Sequence, residues 1–211
     1  MTATTATSLT APPVRKITTT RTTSFIPWDR ARYLVAALQA DGQHNVALMV
    51  AAGIYFGLRI GDTLKLTWGQ ITADSFTATE GKTGKVRCIA VHPDFAAVRD
   101  RYLATLHDHA RPTAGQYVFT PQRSHKRGQS ISVTAANKRF AAALNRHGIT
   151  TANPSTHTLR KTFGRRVWET NGKSEAALVL LSDILNHGSI AVTRRYLGIT
   201  ADEIAAAYIS L

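Results

Sequence analysis

A single cysteine, Cys88, serves the whole chain. One thiol cannot close an intrachain disulfide framework or supply a cysteine-based zinc site, and it suits a reducing cytoplasm. No run approaches the roughly 18 apolar residues that a membrane-spanning helix needs, so no membrane partner is expected. The first two dozen residues, MTATTATSLTAPPVRKITTTRTTS, lack the apolar stretch of a signal peptide. There is no HExxH and no carboxylate cluster of the kind that holds a catalytic metal, so neither a metal nor another cofactor is expected. The run EGKTGK lacks the spacing of a Walker A loop, which removes the usual nucleotide signature. No internal repeat is present.

Acid is the other scarcity. Lys and Arg number 26 against 13 Asp and Glu, a formal charge of +13 in 211 residues. An imbalance of that size points to an anionic partner, of which nucleic acid is the commonest, the alternative being a generally solvated basic surface. The imbalance is local. From His109 to Trp168 there is no acidic residue, while Arg111, Arg123, Lys126, Arg127, Lys138, Arg139, Arg146, Arg160, Lys161, Arg165 and Arg166 all fall there. Arg123, Lys126, Arg127, Lys138, Arg139, Lys161 and Arg165 are the expected phosphate contacts.

Hydrophobic residues make up 44% of the chain, enough for one real core. Residues 1–24 are Thr-rich, carry Pro12 and Pro13, and show no hydrophobic period. They read as a disordered basic tail ahead of a folded domain over 25–211. Ala31, Leu34, Val35 and Leu38 recur at helical spacing, with Gly42 as the stop. HNVALMVAAGIYFGL is apolar on every side, as a central helix is. SFTATEGKTGKVRCIAV changes to period two and predicts two strands around a turn at Gly81–Gly84. DFAAVRDRYLATLHDHA returns to helix, QYVF reads as a short extended piece, and PQRSHKRGQS reads as a basic loop. Helices follow over about 133–147, 156–171, 174–186, 190–197 and 201–209. The fold class is mainly α with a small antiparallel β-sheet (α+β).

Four constellations carry chemistry. In SDILNHGSIAVTRRYLGIT, His187 and Tyr196 stand nine residues apart, on opposite sides of an unbroken helix. Gly188 is a natural stop and Ser189 a natural N-cap, so a kinked helix pair would bring the two side chains together. In STHTLRKTFGRR, Ser155 caps a helix whose His157 and Arg160 share a face and suit one phosphate. In GLRIGDTLKL, Arg59 follows an apolar helix and needs an anionic partner, with Asp62 placed to hold its guanidinium. In EGKTGK, Lys82 and Lys85 lie on a tight turn that would reach into a groove. A tyrosine that attacks a phosphodiester must lose a proton near pKa 10. Arginines and a histidine stabilise the charge that develops, and a lysine protonates the departing oxygen. No metal is needed for that set.

The order Arg59, Lys82, His157–Arg160, His187 and Tyr196 resembles the tyrosine recombinases, or phage-type integrases, over about Val46 to Leu197. The resemblance implies that family's catalytic-domain fold and a site-specific recombinase that integrates, excises or inverts DNA. Tyr196 would form a 3′-phosphotyrosyl link and Arg59 and Arg160 would bind the scissile phosphate. His157 would assist proton removal, His187 would hydrogen-bond the phosphate, Lys82 would be the general acid and Asp62 a supporting acid. It also implies a homo-oligomer on DNA, four protomers in the synapse, and no ATP. The resemblance implies a separate helical core-binding domain before the catalytic one, for which residues 1–24 are too short. The chain is therefore expected to be either a minimal recombinase or a catalytic fragment, with binding to double-stranded DNA that is weak or aided by an accessory protein. Two other readings use the same fold: a DNA-binding regulator without catalysis, and a type IB topoisomerase-like relaxing enzyme.

Overall fold

A computed structural model of the chain describes residues 23–121, 128–199 and 208–210. Arg123, Lys126 and Arg127, the tail up to residue 22, and most of the helix expected at 201–209 lie outside the described residues.

Helix α1 (Trp28–Ala40) is followed after a short turn by α2 (His44–Phe56), and the two pack together. Residues Ala47 to Ile54 of α2 are all buried, because α1, α5 (Pro93–Leu103), α6 (Val133–Arg146) and α7 (His157–Thr170) surround it. That is why its sequence shows no polar face. Two short helices, α3 (Ile60–Thr63) and α4 (Trp68–Thr72), precede strand β1 (Ser75–Thr79). They are too brief for hydrophobic periodicity to reveal.

Strand β1 pairs antiparallel with β2 (Val86–Ala90), with Ser75 opposite Ala90 and Thr79 opposite Val86. Phe76 and Ala78 of β1 turn inward and their neighbours turn out, the alternation of a half-buried strand. In the expected extended piece, Tyr117 makes a single bridge to Thr67. After α7 come α8 (Glu175–Leu185) and α9 (Ile190–Leu197). Among the described residues no single helix is long and apolar enough to cross a membrane.

The core falls into two clusters. The larger surrounds α2 and takes in Leu159 of α7, whereas Trp168, Leu178, Leu181, Leu185 and Leu197 form the smaller one among α7, α8 and α9. Helix α7 therefore runs from one cluster to the other and carries the site residues of its first turn across the seam. Residues 23–27 are laced to it. The Ile26 N–H donates to Thr162 Oγ1 at 3.0 Å, and that hydroxyl lies 3.2 Å from the Ile26 carbonyl. The preceding residues continue the contact: the Ser24 N–H donates to the Ala152 carbonyl at 3.0 Å, and Thr23 Oγ1 lies 3.5 Å from Ser155 Oγ.

Candidate active site

The end of α2 sets the first component. Gly57 takes a left-handed conformation, φ 58°, and a Cβ there would stand 2.2 Å from the Phe163 ring. Only glycine meets both conditions. The chain then turns so that Arg59 caps α3 in an extended conformation, with its side chain 27% exposed.

Two arginines clasp the ends of α2 and α8 together. Arg160 is 2% exposed; its Nη1 donates to the Gly57 carbonyl at 2.6 Å and its Nη2 to the Leu185 carbonyl at 2.9 Å. Arg87, from β2, takes the preceding carbonyl on each helix, donating to Phe56 at 3.2 Å and to Ile184. The last carbonyls of a helix have no intrahelical partner and carry its negative dipole end, so guanidinium donors suit them. Burial lowers the pKa of both arginines, from a value high enough that both stay charged.

The anionic partner of Arg59 is Glu80, which sits just after β1 and is 0% exposed. Arg59 Nη1 donates to Glu80 Oε2, and Thr83 Oγ1 donates to the same oxygen at 3.0 Å. Glu80 Oε1 stands 4.0 Å from Arg160 Nη1. Burial alone would raise the Glu80 pKa, but Arg59, the nearby Asn186 amide and Thr83 outweigh it and hold the carboxyl below its ordinary value. Asn186 Nδ2 and Glu80 Oε1 do not themselves close a hydrogen bond.

Asp62 is corrected by this geometry. It does not hold the Arg59 guanidinium. Its Oδ1 instead accepts from the Gly81 N–H at 3.0 Å and pins the turn between the strands. Glu80 holds the guanidinium in its place. Lys82 follows on that pinned turn and is exposed, as is Lys85.

Tyr196 lies at the other side of the seam. Helices α8 and α9 meet at 94°. The expected break is present, but Gly188 does not make it. Asn186 takes the left-handed conformation, φ 52°, and ends α8, while Ser189 caps α9 by accepting from the Val192 N–H at 3.4 Å. The bend brings the His187 ring within 5.1 Å of the Tyr196 ring at 71°, and His187 Nδ1 lies 2.9 Å from Thr193 Oγ1. His157, the first residue of α7, approaches from the other direction, 5.4 Å away at 88°.

Lys161 was expected to face DNA phosphates. It is 7% exposed, and its Nζ lies 5.2 Å from the centre of the Tyr196 ring. A cation over that face is attracted to the ring. Arg165 is half-buried: it pairs with Glu169 at 2.7 Å and stacks on Phe25 and Trp168. Lys138 is exposed and Arg139 half-buried on α6.

These neighbours set the protonation states. Burial, then repulsion from Arg160 and Arg59, pulls the His187 pKa down to about 4. Burial, then Arg160, Lys161 and Arg59, lowers that of His157. Both rings are therefore neutral at pH 7. Burial raises the Tyr196 pKa, opposed by Arg160 and Arg59, and its hydroxyl is buried without a hydrogen-bond partner meeting full geometry among the described residues. The arrangement can deliver a neutral phenol, two neutral imidazoles and two guanidiniums to one small volume.

A model of the phage integrase family matches residues 25–203. The probable integrase/recombinase YoeC of Bacillus subtilis (strain 168) is 32% identical over 157 residues, which is 74% of this chain and 78% of the relative. Among solved structures, the XerA recombinase superposes with a TM-score of 0.64 at 19% identity over 90% of this chain. The XerH recombinase, bound to a palindromic difH substrate after cleavage, gives 0.66 at 16% identity over 88%. The lambda integrase catalytic core gives 0.56 at 18% identity over 78%. This chain spans 65% of the XerA chain, 52% of the XerH chain and 91% of the lambda catalytic core.

Proposed function

The chain belongs to the phage integrase family, and from that membership we propose that it is a site-specific DNA recombinase working through a 3′-phosphotyrosyl intermediate at Tyr196. The observation that carries this reading is the placement of Tyr196 between His157 and His187, beside the buried guanidinium of Arg160.

In the proposed reaction, Arg59 and Arg160 bind the non-bridging oxygens of the scissile phosphate and stabilise the charge gained in the transition state. The Tyr196 oxygen attacks phosphorus and its proton passes to His157. The bond from phosphorus to the 5′ oxygen breaks, and Lys82 supplies that oxygen with a proton. His187, held by Thr193, donates to the phosphate. A 5′-hydroxyl from another strand then attacks the phosphotyrosine and expels the phenol, so each bond broken is replaced and no ATP is consumed. Exchanging two duplexes requires four strand cuts, hence four protomers. Lys138 and the exposed face of α6 offer contacts to the backbone of the duplex. The neutral imidazoles become charged more readily once a phosphate enters, because its negative charge opposes the repulsion from the arginines.

The test is covalent capture. Nicked duplexes with a randomised centre are incubated with the chain, and DNA attached to protein is recovered and sequenced. Enrichment of one sequence, attached at Tyr196, supports the reading. Attachment that needs no particular sequence would favour a relaxing enzyme. Specific binding without attachment would favour a regulator.

A further inference from the structure

Glu80 is the one fully buried carboxylate among the described residues, and the proposed reaction does not use it. Its surroundings are cationic: Arg59 bonds it, Arg160 stands 4.0 Å away, and Arg87 is near enough to feel its charge. Its main chain closes the hairpin turn. The Glu80 N–H donates to the Lys85 carbonyl at 2.9 Å, and the Gly84 N–H donates to the Glu80 carbonyl at 2.8 Å. The next residue, Gly81, is held by Asp62. One residue thus ties the turn that bears Lys82 to the arginine at the end of α2.

We propose that Glu80 is a positioning residue for the phosphate site: its sealed carboxylate fixes the Arg59 guanidinium beside Arg160 and sets the hairpin turn against both. Three points support this. First, among the described residues Glu80 is the anchor of the Arg59 guanidinium, which is partly exposed, so without Glu80 it would sample several rotamers. A guanidinium has five donors, and Glu80 engages one face while others remain for a phosphate. Second, Arg160 is already fixed by two carbonyls, so the distance between the two arginines depends on what holds Arg59. Third, a buried carboxylate between guanidiniums lowers their mutual repulsion before DNA arrives, and keeps two like charges in one place. Rate falls steeply when such groups shift by about 1 Å.

This proposal rests on the recombinase reading, and the experiment separates the two. The full chain is compared as wild type, Glu80→Ala and Glu80→Gln on the captured nicked duplex. Cleavage is followed as the rate of covalent attachment, and binding as the Kd for the intact duplex. Glu80→Ala is expected to lower the attachment rate at least 50-fold with a Kd within threefold of wild type. Glu80→Gln, whose amide oxygen still accepts from Arg59, is expected to recover to within fivefold. In an Arg59→Ala background, Glu80→Ala should cost nothing further. Should Glu80→Ala fail to fold by thermal melt, Glu80→Asp replaces it, with the same split between rate and Kd. A rate within threefold of wild type, or a Kd that rises as far as the rate falls, overturns the positioning role while leaving the recombinase reading intact. A wild type that attaches to no duplex overturns both.

Discussion

His187 and Tyr196 meet ring against ring, centroids 5.1 Å apart, because the chain turns through 94° between them. On a straight helix they would face opposite ways. The site therefore depends on a backbone feature as much as on side chains.

Asn186 makes that turn from the left-handed region, φ 52°, which asparagine and glycine tolerate and branched residues do not. Asn186→Gly should melt within a few degrees of wild type. Asn186→Val should lose about 1–2 kcal/mol of stability and attach to the nicked duplex more slowly than that loss explains. Equal attachment by both variants would show that the bend does not govern the site.

Gly57 is the second backbone condition. Gly57→Ala combines a left-handed strain with a methyl driven into Phe163. Denaturant unfolding should report a loss of about 2–4 kcal/mol, the sum of the strain and an overpacked contact. A loss under 0.5 kcal/mol would mean that the seam between the two core clusters yields easily.

Much of this was legible in the sequence and some was not, for physical reasons. The helix over 28–40 follows from apolar spacing, those expected over about 133–147 and 156–171 are present as 133–146 and 157–170, and Ser189 follows from capping preference. The break before α9 was visible too, but Asn186 and Gly188 both suit a left-handed stop, and tertiary packing chooses between them. Glu80 was hidden because EGKTGK reads as a solvated turn. Nothing local says that its first residue points inward to an arginine twenty-one positions earlier. Asp62 was misassigned because sequence proximity favours an i,i+3 partner over a main-chain donor nineteen residues away. Lys161 was read as surface charge because a stretch without acids looks solvated. Its burial against Tyr196 arises only when α9 folds across α7.

The depressed His187 pKa gives a pH dependence with a definite sign. The folded ring titrates near 4, against about 6.5 when unfolded. Between those values the unfolded chain binds more protons, so stability is fully present above about pH 6.5 and is lost as pH falls toward 4. The melting temperature of wild type minus that of His187→Asn should decline over this window. A constant difference would mean that the imidazole titrates alike in both states.

Arg160 cannot be replaced by lysine. One ammonium cannot reproduce a planar fork that spans the Gly57 and Leu185 carbonyls. Arg160→Lys should slow attachment by about 100- to 1,000-fold, the scale of a lost oxyanion donor. EDTA should leave the wild-type rate unchanged, since guanidiniums supply the positive charge. A rate that collapses on chelation and returns with added divalent ion would contradict this account of the charge.

The most direct measurement compares wild type with Tyr196→Phe on the captured nicked duplex. Wild type should become covalently attached, with the DNA mapped to Tyr196 by peptide mass. Tyr196→Phe should bind the same duplex with a similar Kd and never attach. Attachment by the phenylalanine variant, or a wild type that binds the duplex and remains free of it after denaturation, would contradict the central role given to that phenol.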